Sequence, residues 1–142
     1  MKVLAKHPEE GAPNLLFLLF HGMGGDASQM APLAQALHQA FPQAAVLSVE
    51  APDAFDGIPG GGTGWQWFSE QGVTDHDRHE RVAQAMPRFL ATVRSLQKHY
   101  GIEGDRTALA GFSQGAMMAL EAVQADLQLA SRVMSFGGGY AL

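Results

Sequence analysis

The 142-residue sequence predicts an α/β fold, a mostly parallel sheet flanked by helices, and three observations carry that expectation. Apolar segments of strand type alternate along the chain with segments of helical period. The run from Leu15 to Phe20 has no polar alternation, as in a strand buried on both faces. The pentapeptide Gly111-Phe112-Ser113-Gln114-Gly115 stands between the apolar run Thr107 to Ala110 and the helix-like Ala116-Met117-Met118-Ala119-Leu120, which reads as a serine on a strand-to-helix elbow.

Taken in order, the brevity of Leu15 to Phe20 and the glycines after it favour a strand over a helix. Asp26 or Ser28 can cap a helix in which Met30, Leu33, Leu37 and Phe41 recur at helical spacing, and Pro42 stops it. Ala45 to Val49 is the next strand. From Ala51 to Gly64 two Pro and five Gly with little periodicity predict a long surface loop leading into Trp65-Gln66-Trp67-Phe68. Thr74 with Asp77 resembles a capping pair. Val82, Met86, Phe89, Leu90, Val93, Leu96 and Tyr100 then trace one face of a long helix, kinked at Pro87 and ended by Gly101. Thr107 to Ala110 is the serine's strand, Gln114 to about Gln124 its helix, and Arg132 to Phe136 a last strand before Gly137-Gly138-Gly139. Neither a repeat nor an interdomain linker breaks the pattern, so residues 1–142 are read as a single, partial domain.

Composition narrows the function. A net charge of -5, with nine Lys and Arg and none in a run, offers no footprint for nucleic acid or an anionic membrane. The partners expected are small or neutral molecules. Without Cys there is no disulfide, thiolate metal site or cysteine nucleophile. Met1 to Pro13 has no apolar stretch of signal-peptide length, and the apolar run Leu15 to Phe20 falls far short of the roughly 20 residues of a membrane span, so the reading is a cytoplasmic protein.

The chemistry centres on Ser113. A nucleophile on a strained turn needs tiny residues two before and two after it, so that strand and helix can pass, and both positions are Gly. Stabilising a tetrahedral intermediate needs two convergent N–H donors. One comes from the residue after the nucleophile, Gln114. The glycine-rich His21-Gly22-Met23-Gly24-Gly25 after the first apolar strand offers the second, with Met23 the candidate. His21 precedes the serine, against the order Ser, Asp or Glu, then His, and is assigned a structural hydrogen-bonding role. Trp65, Trp67 and Phe68 are candidate lining of an acyl pocket as well as candidate core.

Two rival readings come from other patterns in the chain. Gly22, Gly24 and Ala27 satisfy the G-x-G-x-x-[GA] pattern of a dinucleotide-binding Rossmann-like module, with Glu50 ending the next strand as a ribose ligand. In Asp75-His76-Asp77-Arg78-His79-Glu80 two histidines share a helical face, but Ala83 stands where a zincin would have its second His. Acids in a first helical turn are expected from the macrodipole, so no metal site is assigned.

Together these residues resemble the phospholipase/carboxylesterase group of α/β-hydrolases, which includes acyl-protein thioesterases. His21-Gly22-Met23-Gly24-Gly25 is similar to the family's H-G-x-G-D block, with Gly25 in place of Asp. Trp67-Phe68 falls where the family has W-[FY], and Gly111 to Ala116 is close to G-F-S-Q-G-[GA]. The resemblance implies an α/β-hydrolase-type sheet lacking its last strands, with Ser113 as nucleophile and Met23 and Gln114 as oxyanion-hole N–H donors. It implies carboxylic esters or thioesters as substrates and no cofactor. The family's Asp and His follow two further strands, whereas no histidine follows Ser113 here and the only acids after it are Glu121 and Asp126, in its helix. Loss of the base costs about 10⁶ in turnover in a protease, so these residues alone are expected to be nearly inert. If the last strands are absent, Arg132 to Phe136 is an open apolar edge, and self-association through it is expected.

Overall fold

A computed structural model describes residues 1–137. Its sheet has five strands, β1 (Val3–Lys6), β2 (Leu15–Phe20), β3 (Ala44–Val49), β6 (Thr107–Phe112) and β7 (Arg132–Phe136), in the order β1-β3-β2-β6-β7. All neighbours run parallel except β1, which pairs antiparallel with β3. A separate two-stranded ribbon joins β4 (Asp53–Ala54) and β5 (Trp65–Gln66). The helices are α1 (Ala31–Ala40), α2 (Asp75–Tyr100) and α3 (Gln114–Ala125).

Side chains alternate across the sheet, and both faces are covered. From β2 and β3, Leu16, Leu18, Phe20, Leu47 and Val49 join Phe89 and Val93 of α2 and Met118 and Ala122 of α3 in one core layer. Phe17, Leu19 and Val46 point the other way, toward Ala34 of α1. Every residue of β3 and all but the first of β2 are buried, which explains why these strands read as continuous apolar runs.

The helix signals hold locally. Asp26 caps a 3₁₀ turn, Ala27–Met30, that leads into α1, its carboxylate accepting from the Ser28 N–H at 2.8 Å. Thr74 and Asp77 form the reciprocal capping box at the start of α2, and Gly101 closes that helix in the left-handed conformation at φ 65°. Pro87 lies inside α2, which continues through it. Pro87 and Ala83, whose carbonyl loses its partner there, are both exposed, so water can take that acceptor.

Three expectations need correction. Strand β1 was not anticipated, because the apolar stretch of Val3–Lys6 is only three residues, Val3 to Ala5, and half of the strand is exposed. The Ala51 to Gly64 loop contains half of the β4–β5 ribbon. Strand β6 extends to Phe112, up to the serine itself. Of the Gly137-Gly138-Gly139 run, Gly138 and Gly139 lie outside the described residues. Among the described residues, no helix is long and apolar enough to cross a membrane.

Candidate active site

Ser113 is the single residue between the end of β6 and the start of α3. Its φ of 52° and ψ of -113° make it the one non-glycine residue at positive φ among the described residues. Such a conformation costs on the order of 1–3 kcal/mol and persists only when its surroundings over-determine it. They do so here on both sides. The Ser113 N–H donates to the Phe136 carbonyl of β7 at 2.9 Å, and its carbonyl accepts from the Met117 N–H of α3 at 3.0 Å. A Cβ on Gly111 would sit 2.4 Å from the Ala116 nitrogen, and one on Gly115 would sit 2.2 Å from the Phe20 carbonyl oxygen. The two glycines are therefore required by backbone contacts, and Ser113 stands exposed at the crossing.

The same crossing brings in the glycine loop. Strands β2 and β6 pair Phe20 with Gly111, so His21 to Gly25 leaves the sheet beside Phe112 to Gln114. A Cβ on Gly22 would meet Phe112 Cδ1 at 2.9 Å. Within the loop the Gly22 N–H donates to Gln29 Oε1 at 2.9 Å, Gly24 N–H to the Trp65 carbonyl at 2.8 Å, and Gly25 N–H to the Gly22 carbonyl at 3.1 Å. Trp65 N–H returns a bond to the Gly25 carbonyl at 2.8 Å, which clamps the β4–β5 ribbon onto the loop. Gly64, at φ 102°, passes so close that a Cβ there would lie 2.1 Å from the Gly24 oxygen.

Of Gly22 to Gly25, Met23 alone keeps an N–H with no acceptor among the described residues. Gln114 is the first residue of α3, where the N–H has no intrahelical acceptor, and Ser113 makes no side-chain cap there. Two open N–H groups, one of them at the positive end of a helix, thus lie on the loop and the helix start that follow the paired strand ends next to the exposed Ser113. That arrangement can hold negative charge developing on a carbonyl oxygen.

His21 is fully buried and fully committed. Ala51 N–H donates to its Nε2 at 3.0 Å, so Nδ1 carries the proton and donates to the Gly22 carbonyl at 2.7 Å. Its own carbonyl accepts from Trp67 Nε1 at 2.8 Å. Burial pushes the imidazole below its ordinary value of 6.5, against the hydrogen bond to Gly22 and the charges of Glu50 and Asp26. His7 bonds the Tyr100 hydroxyl and His38 the His7 carbonyl. Among the described residues none of the six histidines bonds Ser113. Asp126 pairs with Arg94 at 3.0 Å. Among the described residues no His, Cys, Asp and Glu side chains group so as to hold a metal ion, His76 and His79 included.

The side chain of Gln114 was not foreseen, since the G-x-S-x-G pattern singles out only its backbone. It is buried, its Oε1 accepting from Trp67 N–H at 2.8 Å and its Nε2 donating to the Phe68 carbonyl at 2.9 Å and Glu70 Oε2 at 3.3 Å. Glu70 in turn pairs with Arg78 of α2 at 3.0 Å. The amide thus ties the Trp67 to Glu70 segment to the elbow, and no local pattern around Glu70 signals it.

The aromatic candidates divide. Trp67 and Phe68 are core, Trp67 packing edge-on to Phe20 and Phe89 with ring centroids at 5.4 and 5.5 Å. Trp65 is partly exposed and, with Trp67, lines a cavity of about 430 Å³ beside Glu50 and Arg88, whose lining does not include Ser113. The paired ends of β2 and β6 bring the Met23 loop to the side of Ser113 and Gln114, whereas the cavity that Trp65 and Trp67 line does not include Ser113. A different apolar recess, of about 420 Å³, lies against Phe112 and Phe136. The dinucleotide reading also fails: the N–H groups of Gly22, Gly24 and Gly25 are spent inside the protein, and Glu50 turns back to the Ala27 N–H at 3.4 Å.

Replacing Gln114 by Leu leaves the Trp67 N–H and Phe68 carbonyl buried and unpaired. The expected loss is at least about 2 kcal/mol of unfolding free energy, read by urea denaturation. For His21 the folded value lies below the unfolded one, so below pH 6.5 the unfolded chain binds more protons. Stability should therefore fall as pH drops from 6.5 through the folded value, and the His21 ring resonances, followed by NMR, should titrate below those of a free imidazole. A His21 titration above 6.5 contradicts its buried, neutral state.

Comparison with known proteins identifies the family and the fold. The family model described as Phospholipase/Carboxylesterase matches residues 5–142. The esterase YpfH of Escherichia coli (strain K12) is 44% identical over 138 residues, which is 97% of this chain and 57% of the relative. Among solved structures, esterase PE8 superposes with a TM-score of 0.87 at 28% identity, covering 99% of this chain and 66% of PE8. Zea mays acyl-protein thioesterase 2, at 19% identity and a TM-score of 0.71, shares the fold, with 98% of this chain and 62% of that one covered. The chain thus spans about 57% of the length of that curated relative, and it belongs to the phospholipase/carboxylesterase family of α/β-hydrolases.

Proposed function

We propose that this chain carries the nucleophile and oxyanion hole of a serine hydrolase acting on small carboxylic esters or thioesters in the cytoplasm. The observation that carries the reading is the strained, exposed Ser113 beside the open N–H groups of Met23 and Gln114.

In the proposed reaction Ser113 Oγ attacks the acyl carbon, and its proton passes to a histidine. The carbonyl oxygen takes the electron pair and is held by the Met23 and Gln114 N–H groups. Collapse of the tetrahedral adduct expels the alcohol or thiol, which takes the proton back from the histidine. Water then hydrolyses the acyl-serine by the same steps in reverse. His21 is excluded as the base because both ring nitrogens are already bonded. The proposal therefore assigns the base and its orienting acid to residues outside these 142.

Without a base, deacylation slows along with acylation, so an activated ester should leave its acyl group on the protein. Incubation with p-nitrophenyl butyrate should raise the intact mass by one butyryl group, mapped to Ser113, and leave Ser113→Ala unmodified. No acylation of folded chain, or equal labelling of Ser113→Ala, contradicts the reading.

We also propose self-association through β7. Among the described residues it pairs only with β6, and Phe112 and Phe136 are exposed beside its apolar recess. Light scattering should show a mass above the monomer that rises with concentration and falls for Phe136→Lys. A monodisperse monomer at all concentrations contradicts it.

A further inference from the structure

We infer that Gln29 is a positioning residue of the oxyanion hole, holding the Gly22 peptide so that the Met23 N–H faces the acyl oxygen. The inference deepens the function proposed above and rests on it.

Each polar group that fixes the loop's path has a partner: Gly22 carbonyl accepts from Gly25 N–H and His21 Nδ1–H, and the ribbon holds Gly24 and Gly25 through Trp65. The Gly22 N–H lies one peptide before the Met23 N–H on the strand side, and its acceptor is a side chain, Gln29 Oε1 at 2.9 Å. Removing that acceptor frees the His21–Gly22 peptide, from which Gly22 leads into the peptide that carries the Met23 N–H, and a donor turned by a small angle no longer meets a developing oxyanion.

Gln29 can hold this post because its own turn is fastened. Asp26 caps it through Ser28 N–H at 2.8 Å, and Ser48 Oγ donates to the Ala27 carbonyl at 2.5 Å. Ala27 and Met30, on either side, are buried. The absence of a side chain at residue 25 completes the fit. A Cβ on Gly25 would stand 2.5 Å from Gln29 Oε1 and 2.8 Å from its Cδ. The amide occupies the space a side chain at 25 would enter, which accounts for the departure of Gly25 from the H-G-x-G-D pattern. Gly25 and Gln29 are a complementary pair.

The test compares acylation of Ser113 by p-nitrophenyl butyrate in the wild-type chain, Gln29→Leu and Gly25→Asp. Gln29→Leu should lower the saturating acylation rate about tenfold or more while the half-saturating ester concentration stays within about twofold, since the lost contact acts on the transition state. Gly25→Asp should slow the wild-type chain by displacing the amide, and should cost less in a Gln29→Ala background, because the two changes act on one contact. An unchanged rate in Gln29→Leu, a change confined to half-saturation, or strict additivity of the pair overturns the inference. Hydrogen exchange gives a readout independent of catalysis: the Gly22 amide should lose protection in Gln29→Leu while the Phe17 and Leu18 amides of β2 keep theirs. If no ester acylates the wild-type chain, the catalytic reading falls. Unchanged Gly22 protection sinks the role of Gln29 separately.

Discussion

The structure turns on one contact, the passage of the first turn of α3 against the backbone end of β2. A Cβ at Gly115 would lie 2.2 and 2.6 Å from the carbonyl oxygens of Phe20 and His21, so no other residue lets the helix cross there. With the helix at that depth, Ser113 must turn through positive φ to join strand to helix. Burial of Met118, Ala119 and Ala122 behind the crossing offsets the strain, at about 25 cal/mol per Å² of apolar surface removed from water. The glycine loop and the serine meet because β2 and β6 are paired in register and end together.

What the crossing leaves open matters as much as what it packs. An uncapped helix N-terminus usually costs about 1 kcal/mol, and α3 begins with no side chain on its first N–H groups. Glycine loops are ordinarily loose, yet this one is braced by Gln29, His21 and Trp65 until one N–H remains unspent among Gly22 to Gly25. Under the proposed function both departures have the same physical sense: donors kept free of protein acceptors and fixed in place before a ligand arrives. His21 serves as a truss between the ends of β2 and β3 and Trp67, and its burial as a neutral ring is the condition for that role.

Where the sequence spoke clearly, a backbone necessity stood behind the pattern. Gly111 and Gly115 are glycines because a Cβ at either would strike main-chain atoms, and such constraints survive in a short motif. Strands β2 and β3 were legible because both their faces are buried. Strand β1 was not, since the three apolar residues of a half-exposed edge strand are too short a run to stand out, and the two-residue strands of the ribbon lie in or beside a segment rich in Pro and Gly. Trp67 and Phe68 were ambiguous because an aromatic residue fills a core and lines a pocket with the same chemistry. The anchoring amides of Gln114 and Gln29 escaped notice because nothing local distinguishes a buried, fully bonded glutamine from a solvated one.

Met23 and Gln114 are proposed to present two N–H groups to one oxygen atom above Ser113. A crystal structure of the chain with a phosphonate bonded to Ser113 Oγ tests it most directly. The phosphonyl oxygen should lie at about 2.7–3.1 Å from both backbone nitrogens. A phosphonyl oxygen pointing to solvent, or bonded to one of the two alone, would contradict it.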